Sequence, residues 1–204
     1  IFLSSINFFL LGNMSLWMLG YFSNSGELSL FGTAIRLVFL IAIPLNVVET
    51  ILNPIISKKY HQKKNNELEK IIRSNITIIG IPMIFIVLII IIFSDLILSI
   101  IFGEYFVLAS NCLKILCFGQ LINLCTGPCA PMLNMTGNQD IVLKCSIISL
   151  VVNLSLGLLL IPRFEALGAA ITTSSAIITQ NLLMYLYSRY KLKINCGIRF
   201  LKNP

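Results

Sequence analysis

Residues 76–93 read ITIIGIPMIFIVLIIIIF, a run without a single charged side chain. A bilayer with a hydrocarbon core of about 30 Å is crossed by a helix of about 20 apolar residues. Lipid cannot hydrogen-bond a bare backbone, so a spanning segment must be a helix or a strand of a closed barrel. Barrel strands alternate polar and apolar residues, and this run does not alternate. It therefore predicts a transmembrane helix.

Five further apolar stretches have the same character, and together with the first they occupy most of the 204 residues. The composition is 57% hydrophobic and 11% charged, and the mean hydropathy of +0.91 lies outside the range of soluble proteins. The sequence predicts an all-α membrane protein with six transmembrane helices in residues 1–192, followed by a basic tail at 193–204. The other five predicted spans are 2–22, 31–56, 105–133, 141–161 and 167–187.

The basic residues that account for the net charge of +7 lie mainly in every second one of the segments that connect or follow the predicted spans, here called gaps. Lys and Arg collect on the cytoplasmic side of membrane proteins. Twelve lie in or beside alternate gaps, against Arg163 alone in the others, so the chain is predicted to enter from the cytoplasm and to end there. This placement argues for a lipid bilayer and against nucleic acid as the partner. The twelve are Lys58, Lys59, Lys63, Lys64, Lys70, Arg73, Lys144, Arg189, Lys191, Lys193, Arg199 and Lys202.

Local signals predict how the spans begin, end and bend. Pro44 predicts a kink in the second span, because proline removes a helix hydrogen bond. The polar stretch 57–73 is interpreted either as an amphipathic surface helix, with Asn66 and Glu69 as a capping box, or as a solvated linker. The segment Thr126-Gly127-Pro128 predicts a broken end to the fourth span.

Three charged side chains lie about five or more residues inside predicted spans, where a central charge costs at least about 2.5 kcal/mol. Arg36 and Lys114 each lie near the outer end of a span. Either they face a shared cavity, which would be electropositive and suited to a pyrophosphate-linked lipid, or they snorkel to the interface. Glu49 lies near the cytoplasmic end, and the alternatives are an ion pair with a loop lysine or a role in proton coupling.

Amides add to the substrate-cavity candidates. Asn7, Asn13 and Asn46 lie on otherwise apolar spans, where a polar side chain usually faces another helix or water.

Signals of catalysis are missing from the sequence. His61 is the single histidine and lies among lysines in a polar stretch, which is typical of a solvated side chain. The six cysteines are interpreted as small hydrophobes rather than as metal ligands or bridges. No glycine loop for phosphate is present. The sequence therefore predicts neither an enzyme nor a cofactor or metal.

Several short stretches resemble one family in order and spacing. The stretches are 34–37 (AIRL), 53–60 (NPIISKKY), 101–105 (IFGEY), 113–116 (LKIL), 133–138 (LNMTGN), Asn153, 160–162 (LIP) and 167–173 (LGAAITT). With these stretches the chain resembles the C-terminal half of polysaccharide-transport flippases of the O-antigen type, within the multidrug/oligosaccharidyl-lipid/polysaccharide exporter superfamily. Glu165 is a departure, because the family pattern often has a glycine there.

The resemblance implies a transporter of twelve or fourteen helices in two lobes, with this chain as the second lobe. It implies that lipid-linked (undecaprenyl-pyrophosphate) oligosaccharide crosses the bacterial inner membrane by alternating access. Ile1 already lies in apolar sequence, so we expect an N-terminal lobe upstream.

Two other classes remain open. A cation-coupled exporter of the multidrug and toxin extrusion type would favour acidic residues in the cavity, and here Glu49 alone is well inside a span. A membrane anchor without transport activity would not need polar residues such as Asn7 or Arg36 in its spans.

Overall fold

The computed structural model describes the backbone of residues 2–197 and the side chains of residues 6–64 and 66–197. The described chain folds into helices joined by short turns, and a 3₁₀ turn at Glu104–Ala109 precedes α5. A π-helical turn, Ser188–Leu192, follows the last helix. The helices are α1 (Phe2–Phe22), α2 (Ser25–His61), α3 (Asn65–Ile92), α4 (Ser94–Phe102), α5 (Ser110–Thr126), α6 (Cys129–Met135) and α7 (Gln139–Tyr187).

Four helical segments in the described residues are long and apolar enough to cross a membrane: Ser25–His61, Asn66–Ile92, Glu104–Thr126 and Gln139–Leu192. The prediction of a helical membrane protein is therefore confirmed. The number of crossings, six, stays a prediction. In α2 the backbone stays helical through both Pro44 and Pro54.

Helix α7 contains the turn predicted between the last two spans. Glu165 has φ 48° and ψ −122°, which are not helical values. In a straight helix, residues eight positions apart are separated by about 12 Å along the axis. Here a Cβ atom added to Gly168 would overlap the carbonyl oxygen of Leu160. The chain therefore bends back sharply at Glu165, dividing α7 into a first arm (139–164) and a second arm (166–187).

A polar contact holds this bend against the start of α2. The break at Glu165 interrupts the helical hydrogen-bond pattern, and the Ala166 N–H donates instead to the Glu27 carboxylate, 3.3 Å away. Glu27 lies in the first turn of α2, and only residues 23 and 24 separate α1 from α2.

The core divides into two clusters at opposite ends of the bundle. One contains Leu19, Phe31 and Leu113. The other contains Leu52 and Leu68, with Tyr60 and Leu192 packed against it. We call the end that carries the second cluster the basic end, because the basic segments 58–64 and 189–193 adjoin it.

The polar stretch 57–73 differs from its prediction. Helix α2 continues to His61 and α3 begins at Asn65, so no separate surface helix forms. The predicted capping box is wrong as well: the N-cap is Lys64, without a side-chain cap bond. Glu69 instead pairs with Arg73 one turn later, at 3.2 Å. The apolar edge of the stretch, including the fully buried Leu68 and Ile72, packs into the protein core and so continues α3 in one piece.

The break predicted at the end of the fourth span is confirmed. Helix α5 ends at Thr126, Gly127 has a φ of 73°, and α6 begins after Pro128. Positive φ is accessible to glycine without strain, and proline lacks the N–H that would continue the helix.

Small residues bring α5 and α7 close together. A Cβ atom on Gly119 would lie 2.7 Å from the Ser174 hydroxyl and 3.2 Å from its Cα. Gly168, Ala169 and Ala170 are buried on the same arm of α7. The stretch of small residues at the start of the predicted sixth span is therefore a packing surface, as expected for helices that pack in lipid.

Candidate functional site

Two adjoining cavities form one cleft between α1, α2, α5, α6 and α7. Their volumes are about 220 Å³ and 170 Å³, and they share Phe8, Gln120 and Ile177 in their walls. The larger part is about half polar and the smaller part is mainly apolar. The polar lining residues are Asn46, Glu49, Gln120, Asn123, Gln180 and Asn181 in the larger part, with Thr173 and again Gln120 in the smaller.

Helical spacing places these polar groups. Asn46 and Glu49 are three residues apart on α2, and Gln120 and Asn123 are three apart on α5, so each pair shares a helix face. The Asn123 side-chain amide donates to the side-chain oxygen of Gln120 at 3.1 Å. Each amide has two donors and an acceptor, so this bond leaves an Asn123 oxygen and a Gln120 N–H₂ for other partners.

Glu49 is the single charged residue in the walls of the two described cavities. It is half-buried, and no ion pair joins it to another described residue. The predicted pairing with a loop lysine is therefore not seen. Lys59 and Lys64 pair instead with Glu67, at 2.6 and 3.2 Å.

Arg36 and Lys114 do not line either part of the cleft. Arg36 is exposed on α2. Lys114 lies 3.7 Å from the Asp95 carboxylate at the start of α4. The Ser110 hydroxyl, with a smaller effect of the Lys114 charge, lowers the pKa of Asp95 below its usual range. Lys114 thus helps to fix α4 against α5, and a cavity shared with Arg36 stays a prediction.

The two asparagines predicted on the first span have different surroundings. Asn7 is buried, and its side-chain oxygen has no hydrogen-bond partner among the described residues. Asn13 donates to the Phe9 carbonyl oxygen of its own helix at 2.9 Å. Neither lines the cleft, although Phe8, next to Asn7, does.

Asn153, one of the positions in the family resemblance, has a packing role. Its fully buried amide and the Ser15 hydroxyl are hydrogen-bond partners at 3.2 Å. The pair joins α1 to the first arm of α7 away from the cleft, which accounts for an amide inside an otherwise apolar helix.

Four cleft residues were missed by the sequence reasoning: Gln120, Asn123, Gln180 and Asn181. The first two repeat at helical spacing, as Asn46 and Glu49 do, and that shared spacing was the available signal.

A larger cavity of about 740 Å³ lies along α3 at the basic end. Its described lining residues all belong to that one helix, so it brings no elements together and is an open groove. The cleft is the better candidate for a binding site, because residues from five helices converge on it.

Comparison with known proteins identifies a family. A family model described as MatE matches residues 1–159 of this chain.

Two curated proteins are similar over most of the chain. The probable low-salt glycan biosynthesis flippase Agl15 of Haloferax volcanii is 28% identical over 186 residues, covering 88% of this chain and 38% of Agl15. The capsular polysaccharide biosynthesis protein CapF of Staphylococcus aureus is 30% identical over 164 residues, covering 79% of this chain and 41% of CapF. The chain thus spans about two fifths of the length of these relatives.

Proposed function

Since this chain belongs to the MatE family, we propose that it is one lobe of a flippase for lipid-linked oligosaccharide. In this proposal, undecaprenyl-pyrophosphate-linked repeat units cross the bacterial inner membrane for surface polysaccharide biosynthesis. Membrane transport, rather than catalysis, is the activity typical of such a family. The names of Agl15 and CapF, one a glycan flippase and one a capsule biosynthesis protein, support a glycan as the cargo.

The observation that carries the proposal is the amide-rich cleft. Sugar hydroxyls are both donors and acceptors, and so are the side-chain amides of Gln120, Asn123 and Gln180. The adjoining apolar part, with Phe39 and Leu116 in its wall, offers a surface to less polar groups. A cleft with a polar and an apolar part suits an amphiphilic cargo better than it suits a simple ion.

The remaining candidates are assigned roles within this proposal. Asn46 belongs to the amide set of the cleft. Glu49 is proposed as a coupling or structural acid, because a half-buried carboxylate without a basic partner favours a cation or a proton. Arg36 and Lys114 are proposed as contacts for pyrophosphate near the predicted outer side.

Alternating access requires a second lobe. The relatives extend well beyond the region that aligns with this chain, and we propose that the corresponding part of the full-length protein forms that lobe. Asn7, whose buried side-chain oxygen has no partner among the described residues, and Asn13 are proposed to belong to the substrate cavity that the second lobe would complete. The isolated chain is then expected not to transport, and the C-terminus is proposed to be cytoplasmic.

A cation-coupled drug exporter is the second candidate, and Glu49 is the observation in its favour. One acid among five amides in the larger part of the cleft is a weak attractor for organic cations. The glycan proposal is therefore preferred.

Gln180 gives a direct test of the cleft. Its side chain is buried in the cleft wall, and replacing it with leucine keeps the size but removes the amide. In the full-length transporter, Gln180→Leu is expected to reduce surface polysaccharide about tenfold, in line with roughly 1–2 kcal/mol for lost hydrogen bonds. Surface polysaccharide is measured in cells in which the variant is the sole copy of the gene.

The matched control is Thr179→Val on the same turn of α7. Thr179 bonds to the Ser175 carbonyl of its own helix and is not in the cleft wall. It should retain wild-type surface polysaccharide at equal membrane abundance. Normal export by Gln180→Leu would remove the cleft from the proposal.

A further inference from the structure

The segment 193–197 lies in the break between α5 and α6 at the basic end. Ile194 and Cys196 are fully buried. A Cβ atom on Gly127, in the break, would overlap the Cys196 carbonyl oxygen, and one on Gly197 would lie 3.1 Å from the Cys125 carbonyl oxygen. The backbone of this segment therefore lies directly against the backbone of the break, a closeness that a glycine on each side makes possible.

Side-chain contacts hold the segment in place. The Ser188 hydroxyl donates to the Ile194 carbonyl at 2.9 Å and lies 3.3 Å from the Cys196 sulfur. The Tyr185 hydroxyl donates to the Asn195 side-chain oxygen at 3.3 Å. Lys193 adopts a left-handed conformation, φ 56°, which turns the chain out of the preceding π-helical turn and back towards the break.

The residues that the segment contacts also form the wall of the cleft. Gly127, Cys129 and Met184 line its polar part. Gly127 touches the segment through the Cys196 carbonyl. The Cys129 thiol donates to the Thr126 carbonyl at 3.3 Å and lies in the same buried cluster as Cys196. Met184 lies one position before Tyr185, which bonds to Asn195. The segment thus covers the outer side of a wall whose inner side faces the cleft.

The break itself is the mechanically weak point of that wall. Gly127 and Pro128 interrupt the helical hydrogen bonds between α5 and α6, so no continuous helix fixes the orientation of α6 relative to α5. While residues 193–197 occupy the break, α6 cannot approach or turn into the space that they fill.

We propose that residues 193–197 form a latch that holds the α5–α6 hinge closed and leaves the break when the basic end of the cleft opens. The proposal rests on the transport cycle proposed above, in which each end of the cleft opens in turn. The latch makes residues 193–197 a moving part of the cycle.

The neighbouring thiols provide the test. Copper(II) phenanthroline with oxygen removes two electrons and two protons from Cys129 and Cys196 to form a disulfide, which ties the latch to α6. Oxidising the full-length transporter in membrane vesicles is expected to reduce glycan transport at least tenfold, and dithiothreitol is expected to restore it. Mass spectrometry of the linked peptides measures the extent of cross-linking.

Cys196→Ser is the matched control, because a serine hydroxyl can keep the contact with Ser188 but cannot form the disulfide. Its transport should be insensitive to the oxidant. Complete cross-linking with unchanged transport would show a static segment and overturn the proposal. Failure to cross-link would overturn the proposal too, because it would show that the Cys129 and Cys196 thiols do not lie next to each other.

A second readout does not depend on glycan transport. Under reducing conditions, a latch that opens exposes Cys196 to N-ethylmaleimide, whereas Cys117 of α5, equally buried, stays protected. Faster alkylation of Cys196 than of Cys117 is expected, and equal slow rates would contradict the latch. If reduced wild-type protein shows no glycan transport, the proposed function fails, and this alkylation comparison alone decides on the latch.

Discussion

Replacing Gly168 with alanine is expected to destabilise the protein by roughly 3 kcal/mol, the upper part of the range for overpacking a tight site. The added Cβ would overlap the Leu160 carbonyl oxygen and would lie 2.9 Å from the Ile161 nitrogen. Both are backbone atoms, so no side-chain rotation relieves the clash, and the two arms of α7 must separate at the bend. The midpoint of thermal unfolding of the full-length protein in detergent measures the loss.

Gly32→Ala is the control for this substitution. Gly32 lies inside α2, and a Cβ atom there would meet nothing within 4 Å. Because alanine is the better helix former, that variant should be neutral or more stable by about 0.5–1 kcal/mol. Equal stability of the Gly168 and Gly32 variants would contradict the sharp bend at Glu165.

Gly127→Ala is the second substitution with a large expected effect. Gly127 has a φ of 73°, and its Cβ position overlaps the Cys196 carbonyl oxygen. With φ 73° and ψ −169°, Gly127 occupies a backbone region that is open essentially to glycine alone, so a side chain there costs roughly 1–3 kcal/mol. Displacing the latch costs more. We expect a lower unfolding midpoint and faster alkylation of Cys196 by N-ethylmaleimide.

Gly137→Ala separates the two contributions. Gly137 has a similar φ of 78°, but a Cβ atom there would meet nothing within 4 Å. It should show the backbone strain alone, without faster alkylation of Cys196. If Gly127→Ala and Gly137→Ala lower the stability equally, the segment 193–197 does not pack against Gly127 as described.

Much of the fold follows from the sequence, because the bilayer imposes simple rules. Apolar length located the long helices, and Gly127-Pro128 located the break after α5. The stretch 57–73 was misassigned because its charges favoured a surface helix, whereas Leu68 and Ile72 had partners in the core that the sequence does not display. Burial of Ile194 and Cys196 could not be predicted, since basic flanks usually mark a solvated tail.

The candidate site was predicted only in part. Asn46 and Glu49 lie in the cleft, but the amides from α5 and α7 were missed. Whether a polar residue faces a cleft or its own helix depends on which helices adjoin, as Asn13 illustrates by bonding to Phe9. One sequence does not contain that pairing information, so it does not show that the amides of α5 and α7 line the cleft while Arg36 and Lys114 do not.

The most direct test of the proposed function is the leaflet distribution of lipid-linked oligosaccharide in cells that lack the intact gene. The proposal predicts that finished repeat units accumulate on the cytoplasmic face and that surface polysaccharide is lost, with both restored by the full-length gene. Normal surface polysaccharide and no accumulation would contradict a flippase, and new sensitivity to cationic drugs in those cells would instead indicate the exporter.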